Sequence, residues 1–295
     1  MAVACTHVDG RPIAVTSGRD HTVRIWDLTA GTPVGMLTGH TGPVTAVACA
    51  QLDSRPIAVT GSWDHTVRIW DLTSRTPIGG PLTGHTGTVT AVACTHLDAR
   101  PIAVTSGRDH TVRIWDLATG IPIGDPRTGH TDLVTALACA YLDNRPIAAT
   151  SSRDHTVRIW DLATGAPIGL LTGHTGSVTA VACAQLDSRP IAVTGSWDHT
   201  VRIWDLTNGI PLGLLTGHTG PVTAVVCAQL DGRPIALTSS RDRTVQIWDL
   251  RTRRRIDRID LPREVKTVAD TPASGIVVAL GWDIVLLERS TEQLT

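Results

Sequence analysis

Residues 45–72 read TAVACAQLDSRPIAVTGSWDHTVRIWDL, and the same stretch stands letter for letter at 179–206. Four further versions with small changes carry the pattern along most of the 295 residues, so one supersecondary unit has been copied repeatedly. In each copy an apolar run such as VTAVACA suits an inner strand covered on both faces. LDSRP is a turn containing Asp and Pro, and IAVTGS is a second strand. WDHT is a tight turn, VRIWDL a third strand, and a linker such as TSRTP leads to a short outer strand ending in TGH. No helical period occurs, and strands this short and this regularly punctuated predict an all-β radial array.

Two independent markers measure the period. Trp-Asp pairs begin at Trp26, Trp70, Trp115, Trp160, Trp204 and Trp248, 44 or 45 residues apart, and Gly-His pairs begin at Gly39, Gly84, Gly129, Gly173 and Gly217 with the same spacing. A Gly-His to Trp-Asp unit of about 40 to 45 residues is the signature of one four-stranded propeller blade. On these residues the chain resembles the WD40 family, with strong motifs over 1–262 and weak ones over 263–295. The resemblance implies one domain, a seven-bladed β-propeller. Its six regular blades lie near 1–42, 43–87, 88–132, 133–176, 177–220 and 221–262, followed by a degenerate, incomplete seventh at 263–295.

That last blade has no Gly-His, no Trp at the usual place and no evident fourth strand. In the resembled family an outer strand from the N-terminus commonly completes the last blade, and Met1 falls too late in the repeat to supply it. The expectation is an open edge at the seam between blades one and seven, through which two copies could associate, or a chain that is a piece of a longer protein. Such uniform repeats resemble bacterial propeller modules fused to kinase or NTPase domains.

A formal charge of −1 with interspersed Arg and Asp provides no global field for nucleic acid or an anionic membrane, so neither is expected as a partner. The one basic tract, RTRRRIDR at 251–258, has no interleaved aromatics and is diluted by Asp257 and Asp260. Cys5, Cys49, Cys94, Cys139, Cys183 and Cys227 occupy one equivalent position per blade. Equivalent residues on stacked sheets lie about 10 Å apart, beyond disulfide reach, so these read as small buried core residues in a reducing, cytoplasmic setting. No spacing brings two metal ligands together, and neither a metal nor a cofactor is expected. The opening MAVACTHVDG has none of the regions of a signal peptide, and no apolar run approaches the ~20 residues needed to cross a bilayer.

Each blade also offers a Thr, a His and an Asp, which a catalytic reading would seize on. The family resemblance assigns them with Trp to a structural network: His40, Thr60, Asp64 and Trp70; His85, Thr105, Asp109 and Trp115; His130, Thr150, Asp154 and Trp160. The series continues with His174, Thr194, Asp198 and Trp204, then His218, Thr238, Asp242 and Trp248. An imidazole before the inner strand, a carboxylate to take its proton, a bridging hydroxyl and an indole donor form a satisfiable chain. Five copies of one triad do not describe an enzyme. Blade one keeps Thr16, Asp20 and Trp26 but has no His, so the seam is expected to be the least stable region. A second set, His21, His65, His110, His155 and His199 with Arg243, reads as polar turn residues.

The informative variation stands one residue before the turn Asp: Arg19, Trp63, Arg108, Arg153, Trp197 and Arg241, with Trp282 in the matching place of the degenerate blade. In the resembled family this position projects onto the face used for partners. Trp and Arg combine contact area with directional donors, so the ring is read as a binding surface for a protein or an extended, acidic peptide. Two alternatives stand beside it. The order Arg, Trp, Arg occurs twice, as repeat duplication without a ligand would leave it. The Arg and Trp side chains can also stack on each other and simply cover the face. On the other face, Asp and Arg alternate in turns such as Asp53 and Arg55, which reads as local turn stabilisation or a solvated rim.

Overall fold

The structure, a computed structural model, describes residues 2–265, 267–270, 276–280 and 283–287. It is an all-β propeller of six antiparallel blades whose strands are hydrogen-bonded in sequence order from the channel outwards. The second blade sets the pattern, with inner strand Val44–Leu52, then Arg55–Ser62, Val67–Asp71 and outer strand Thr76–Leu82. Asp53 and Ser54 both hold positive φ, 49° and 62°, so the first hairpin closes on a two-residue type I′ turn matched to strand twist. The proline read as part of that turn lies inside the second strand instead. Pro56 pairs with Gln51 there, and its carbonyl accepts a hydrogen bond from the Leu72 amide at 3.0 Å.

The inner hairpins of blades two to six carry one β-bulge each. In blade two the register jumps between Val44 and Ala46, so Thr45 is the extra residue. A bulge re-aims a side chain, and here it turns the Thr45 hydroxyl onto the Val89 carbonyl of the next blade. The clip repeats from Thr90 to Val134 (2.5 Å), Thr135 to Val178 (2.5 Å), Thr179 to Val222 (2.6 Å) and Thr223 to Val265 (2.9 Å).

Core clusters straddle neighbouring blades rather than filling each one separately. Ile57, Val59, Val67 and Ile69 of blade two pack on Val89, Val92 and Trp115 of blade three. Each blade therefore buries its faces only against its neighbours, as repeat architectures do.

Blade three departs from the expected four strands. Its sheet contains Val89–Leu97, Arg100–Gly107 and Val112–Asp116 alone, and residues 121–127 contribute only the isolated bridges Val112 to Arg127 and Trp115 to Pro122. Blade two carries the same glycine and proline, Gly79 at φ 69° and Pro81, and keeps its outer strand; blade three differs in having Asp125 and Arg127 where blade two has Gly80 and Leu82. Beyond blade six, Thr267–Asp270, Ile276–Leu280 and Asp283–Leu287 form a three-stranded sheet. Its first strand adjoins both Val222–Leu230 and Val3–Val8.

Candidate functional site

The loop carrying Gly-His and the turn carrying Trp63 or Arg108 meet on one face because His and turn Asp bond to each other. In blade two the Trp70 indole donates to Thr60 Oγ1 at 2.8 Å, and Thr60 Oγ1 lies 2.8 Å from His40 Nε2. His40 Nδ1 lies 2.8 Å from Asp64 Oδ2, which also accepts from the Thr41 amide at 3.0 Å. One assignment satisfies every member. The hydroxyl donates to Nε2, and the proton on Nδ1 faces the carboxylate. Blades three to six repeat the Nδ1 contact, with His85, His130 and His218 at 2.8 Å and His174 at 2.7 Å from Asp109, Asp154, Asp242 and Asp198. Thr105, Thr150, Thr194 and Thr238 each accept from Trp115, Trp160, Trp204 and Trp248 at 2.8 Å.

Burial holds His40, His130, His174 and His218 below the ordinary imidazole value, against the pull of their Asp partners. Burial alone would raise Asp64 and Asp198. The bonds from Thr66 and His40, and from Thr200 and His174, outweigh it and bring both carboxyls down to about 2. Asp109, Asp154 and Asp242 are lowered by the same kind of balance. These groups are used up in holding two loops together and present no free nucleophile or base to solvent.

Blade one shows what the missing His costs. Trp26 still donates to Thr16 at 2.9 Å but is only half-buried, and Asp20 turns to Arg24 at 2.7 Å. The other histidines, His21, His65, His110, His155 and His199, and Arg243 all hold φ between 62° and 68° and are exposed. They close the second hairpin in the left-handed region, which accounts for them as turn residues.

At the channel mouth Trp63, Arg108, Arg153, Trp197 and Arg241 line one concavity of about 340 Å³, floored by Thr45, Thr90, Thr135, Thr179 and Thr223. Trp63 is 50% exposed and Trp197 42%, large for indoles on a folded surface. Arg108 lies over Trp63 at 5.8 Å, while Trp197 is flanked by Arg153 at 5.9 Å and Arg241 at 5.4 Å. Arg19 is exposed but does not line this concavity, and Trp282 lies outside the described residues. Leu133, which the repeat pattern does not single out, joins the lining because blade four alone replaces the usual Gly-Pro, Gly-Thr or Gly-Ser by Asp132 and Leu133.

Sequence inspection also passes over Arg68, Arg113, Arg158 and Arg202, which precede the network Trp by two residues. Each is half-buried, and its Nε is buried without a hydrogen-bond partner. Their repetition was legible; their lack of a partner was not.

Two larger clefts open on the opposite face, about 380 Å³ between blades one and two and about 530 Å³ between blades four and five. Apart from Arg75 in the first, their charged lining, Asp9, Arg11 and Asp27 or Asp143, Arg145 and Asp161, is the set repeated in every blade. Turn Asp and Arg do not pair within their own turn there. Arg189 reaches Asp205 at 3.4 Å, and Asp187 is met by Arg251 of the next blade at 2.8 Å. The six cysteines are free and half-buried rather than fully enclosed, and burial pushes the Cys94 and Cys183 thiols up to about 12. Among the described residues no group of three or more His, Cys, Asp or Glu is placed to hold a metal ion, and no helix is long and apolar enough to cross a membrane.

The family model for the WD domain, G-beta repeat matches residues 1–27, 31–71, 76–116, 125–161, 165–205 and 209–249. Comparison with curated proteins finds no match. The six matched repeats cover most of the chain, each ending with the third strand of one blade, so it belongs to the WD40 family, whose propellers are commonly protein-interaction scaffolds and typically non-enzymatic.

Proposed function

We propose that this propeller is a non-catalytic interaction scaffold that binds a carboxylate-bearing protein segment or extended peptide across the channel mouth. The observation that carries the reading is the convergence of two exposed indoles and three exposed guanidiniums on one concavity. Among the described residues none of Arg108, Arg153 and Arg241 has a carboxylate partner, so each keeps its planar fork of donors for an incoming acid. Trp63 and Trp197 supply the apolar anchors that dominate interface energetics. Free thiols support a cytoplasmic setting.

We further propose that residues 263–295 supply a seventh blade. Support comes from the three-stranded sheet next to both the sixth and first blades, and from the Thr223 clip onto the buried Val265. Self-association through that seam is checked by light scattering over a range of concentrations.

A second reading, a shape-giving module of a larger signalling protein with no peptide pocket, is favoured by the stacking of Arg108, Arg153 and Arg241 on Trp63 and Trp197, which lets the ring satisfy itself. Affinity capture with the wild-type chain and a folded Trp63→Ala/Trp197→Ala variant, read by mass spectrometry, separates the two. The scaffold reading expects proteins retained by the first and lost by the second; identical sets, or none from either, favour the module.

A further inference from the structure

We propose that Arg68, Arg113, Arg158 and Arg202 form an outer row of anchors for the same acidic polypeptide, and that its footprint is a sector over blades two to six, with blade one left out, rather than the whole face. This rests on the reading of the mouth given above. Each of the four lies on a third strand, two residues before the network Trp and therefore on the same side of its sheet; Arg202 sits over Trp204 at 5.9 Å.

Their guanidiniums lie beside the loop that also borders the mouth. A Cβ added at Gly39 would stand 3.3 Å from Arg68 Nη1, and the same distances are 2.7 Å for Gly84 and Arg113, 3.1 Å for Gly129 and Arg158, and 3.2 Å for Gly173 and Arg202. Three residues on in the same loop, a Cβ at Gly42 would touch Trp63. Each loop thus runs from an outer arginine to the inner ring.

The outer arginines are short of partners. Among the described residues none of the four makes an ion pair or a hydrogen bond through its guanidinium, and in each the Nε is shut away from water. A half-buried cation without a counter-charge is unfavourable, and chains ordinarily supply one. The flanking blades avoid that state. In blade one, where no His competes for Asp20, Arg24 takes that carboxylate at 2.7 Å. In blade six the position is Gln246, whose amide donates to the Gly217 carbonyl at 3.2 Å. In blades two to five the turn Asp is held by its His, so the arginine has nothing left within the chain.

The inner ring shares the boundary on the side of blade one and runs one blade further on the other. Trp63, Arg108, Arg153, Trp197 and Arg241 of blades two to six line the mouth, whereas Arg19 of blade one does not. Two concentric arcs of donors, the outer over blades two to five and the inner over blades two to six, describe one elongated anionic ligand. Carboxylates on flexible stems match guanidiniums set one per blade in separate notches. Duplex phosphates, at one charge per ~1.7 Å on a stiff rod, do not.

The test is fluorescence anisotropy with a labelled poly-glutamate peptide at low and moderate salt. The proteins compared are the wild-type chain, the Arg68→Gln/Arg113→Gln/Arg158→Gln/Arg202→Gln variant, Arg24→Gln, and Trp63→Ala/Trp197→Ala. Gln is the natural residue at this position in blade six, and thermal melting checks that the fourfold variant folds. The outer row predicts a loss of about tenfold in affinity and a flatter salt dependence for the fourfold variant, and no change for Arg24→Gln. If the Trp variant binds normally while the fourfold one is weakened, the mouth reading falls and the outer row stands. Unchanged binding by the fourfold variant overturns the proposal, as does failure of the wild-type chain to bind poly-glutamate. Tighter binding of a labelled DNA duplex through the same four arginines overturns it in favour of nucleic acid.

Discussion

Thr105 Oγ1 accepts from Trp115 at 2.8 Å and stands 2.9 Å from His85 Nε2, so one hydroxyl serves two buried groups. Replacing it by the isosteric valine strands both. At about 1–3 kcal/mol for each unsatisfied buried group, Thr105→Val is expected to cost about 2–4 kcal/mol in urea unfolding. Thr16→Val, with no His and a half-buried Trp26, is expected to cost no more than about 1 kcal/mol. Equal losses at the two sites would contradict the network account. The type I′ turns provide an opposed pair. Ala99 holds φ 63°, where a Cβ is strained, while Gly232 holds φ 73° with open space around it. Ala99→Gly is expected to stabilise by about 0.5–1 kcal/mol and Gly232→Ala to destabilise by a similar amount, both read from denaturation midpoints.

At the scale of the element, blades two to six are each a hairpin ladder tied to the next by a bulge threonine and to its own loop by a His–Asp bond. Among the described residues blade one has neither tie, and its Asp20 is spent on an exposed pair with Arg24 worth little to stability. Native-state hydrogen exchange should therefore show the amides of Arg11–Ser17 opening at lower free energy than those of Arg189–Ser196, which sit in a complete blade. Protection at least as high in Arg11–Ser17 would show that the His–Asp bond is dispensable for blade stability. The broken outer ladder of blade three, at 121–127, leaves the inner three strands untouched.

For the whole molecule, the histidines of four networks respond to acid together. His40, His130, His174 and His218 bind a proton less readily folded than unfolded, so the unfolded chain gains protons first as pH falls. Their contribution is full above the ordinary value of 6.5 and is lost as pH drops below it. The carboxyls of Asp64 and Asp198, held at about 2, add stability above their ordinary 3.8 that is lost as pH falls towards 2. Urea midpoints should be level around neutrality and above, then fall in two stages on acidification. A midpoint that stays constant from pH 7 to pH 4 would remove the histidine part of this account.

The strands, the turns and the four members of each network follow from sequence alone, because they depend on contacts within one unit of 44 or 45 residues and that unit is written six times. The same holds for the αL turn histidines and the isolated cysteines, whose environment repeats with the unit. Tertiary structure decided what depends on neighbouring blades. It set which arginines stack on Trp197, brought Thr45 to the carbonyl of Val89, and left Arg19 off the mouth. It also decided which guanidiniums find a counter-charge, since Arg24 and Arg68 occupy the same place in the repeat and differ only in whether a histidine has already taken the aspartate. Those outcomes are set by ring geometry, in which residues a full repeat apart become neighbours, and no local spacing encodes that.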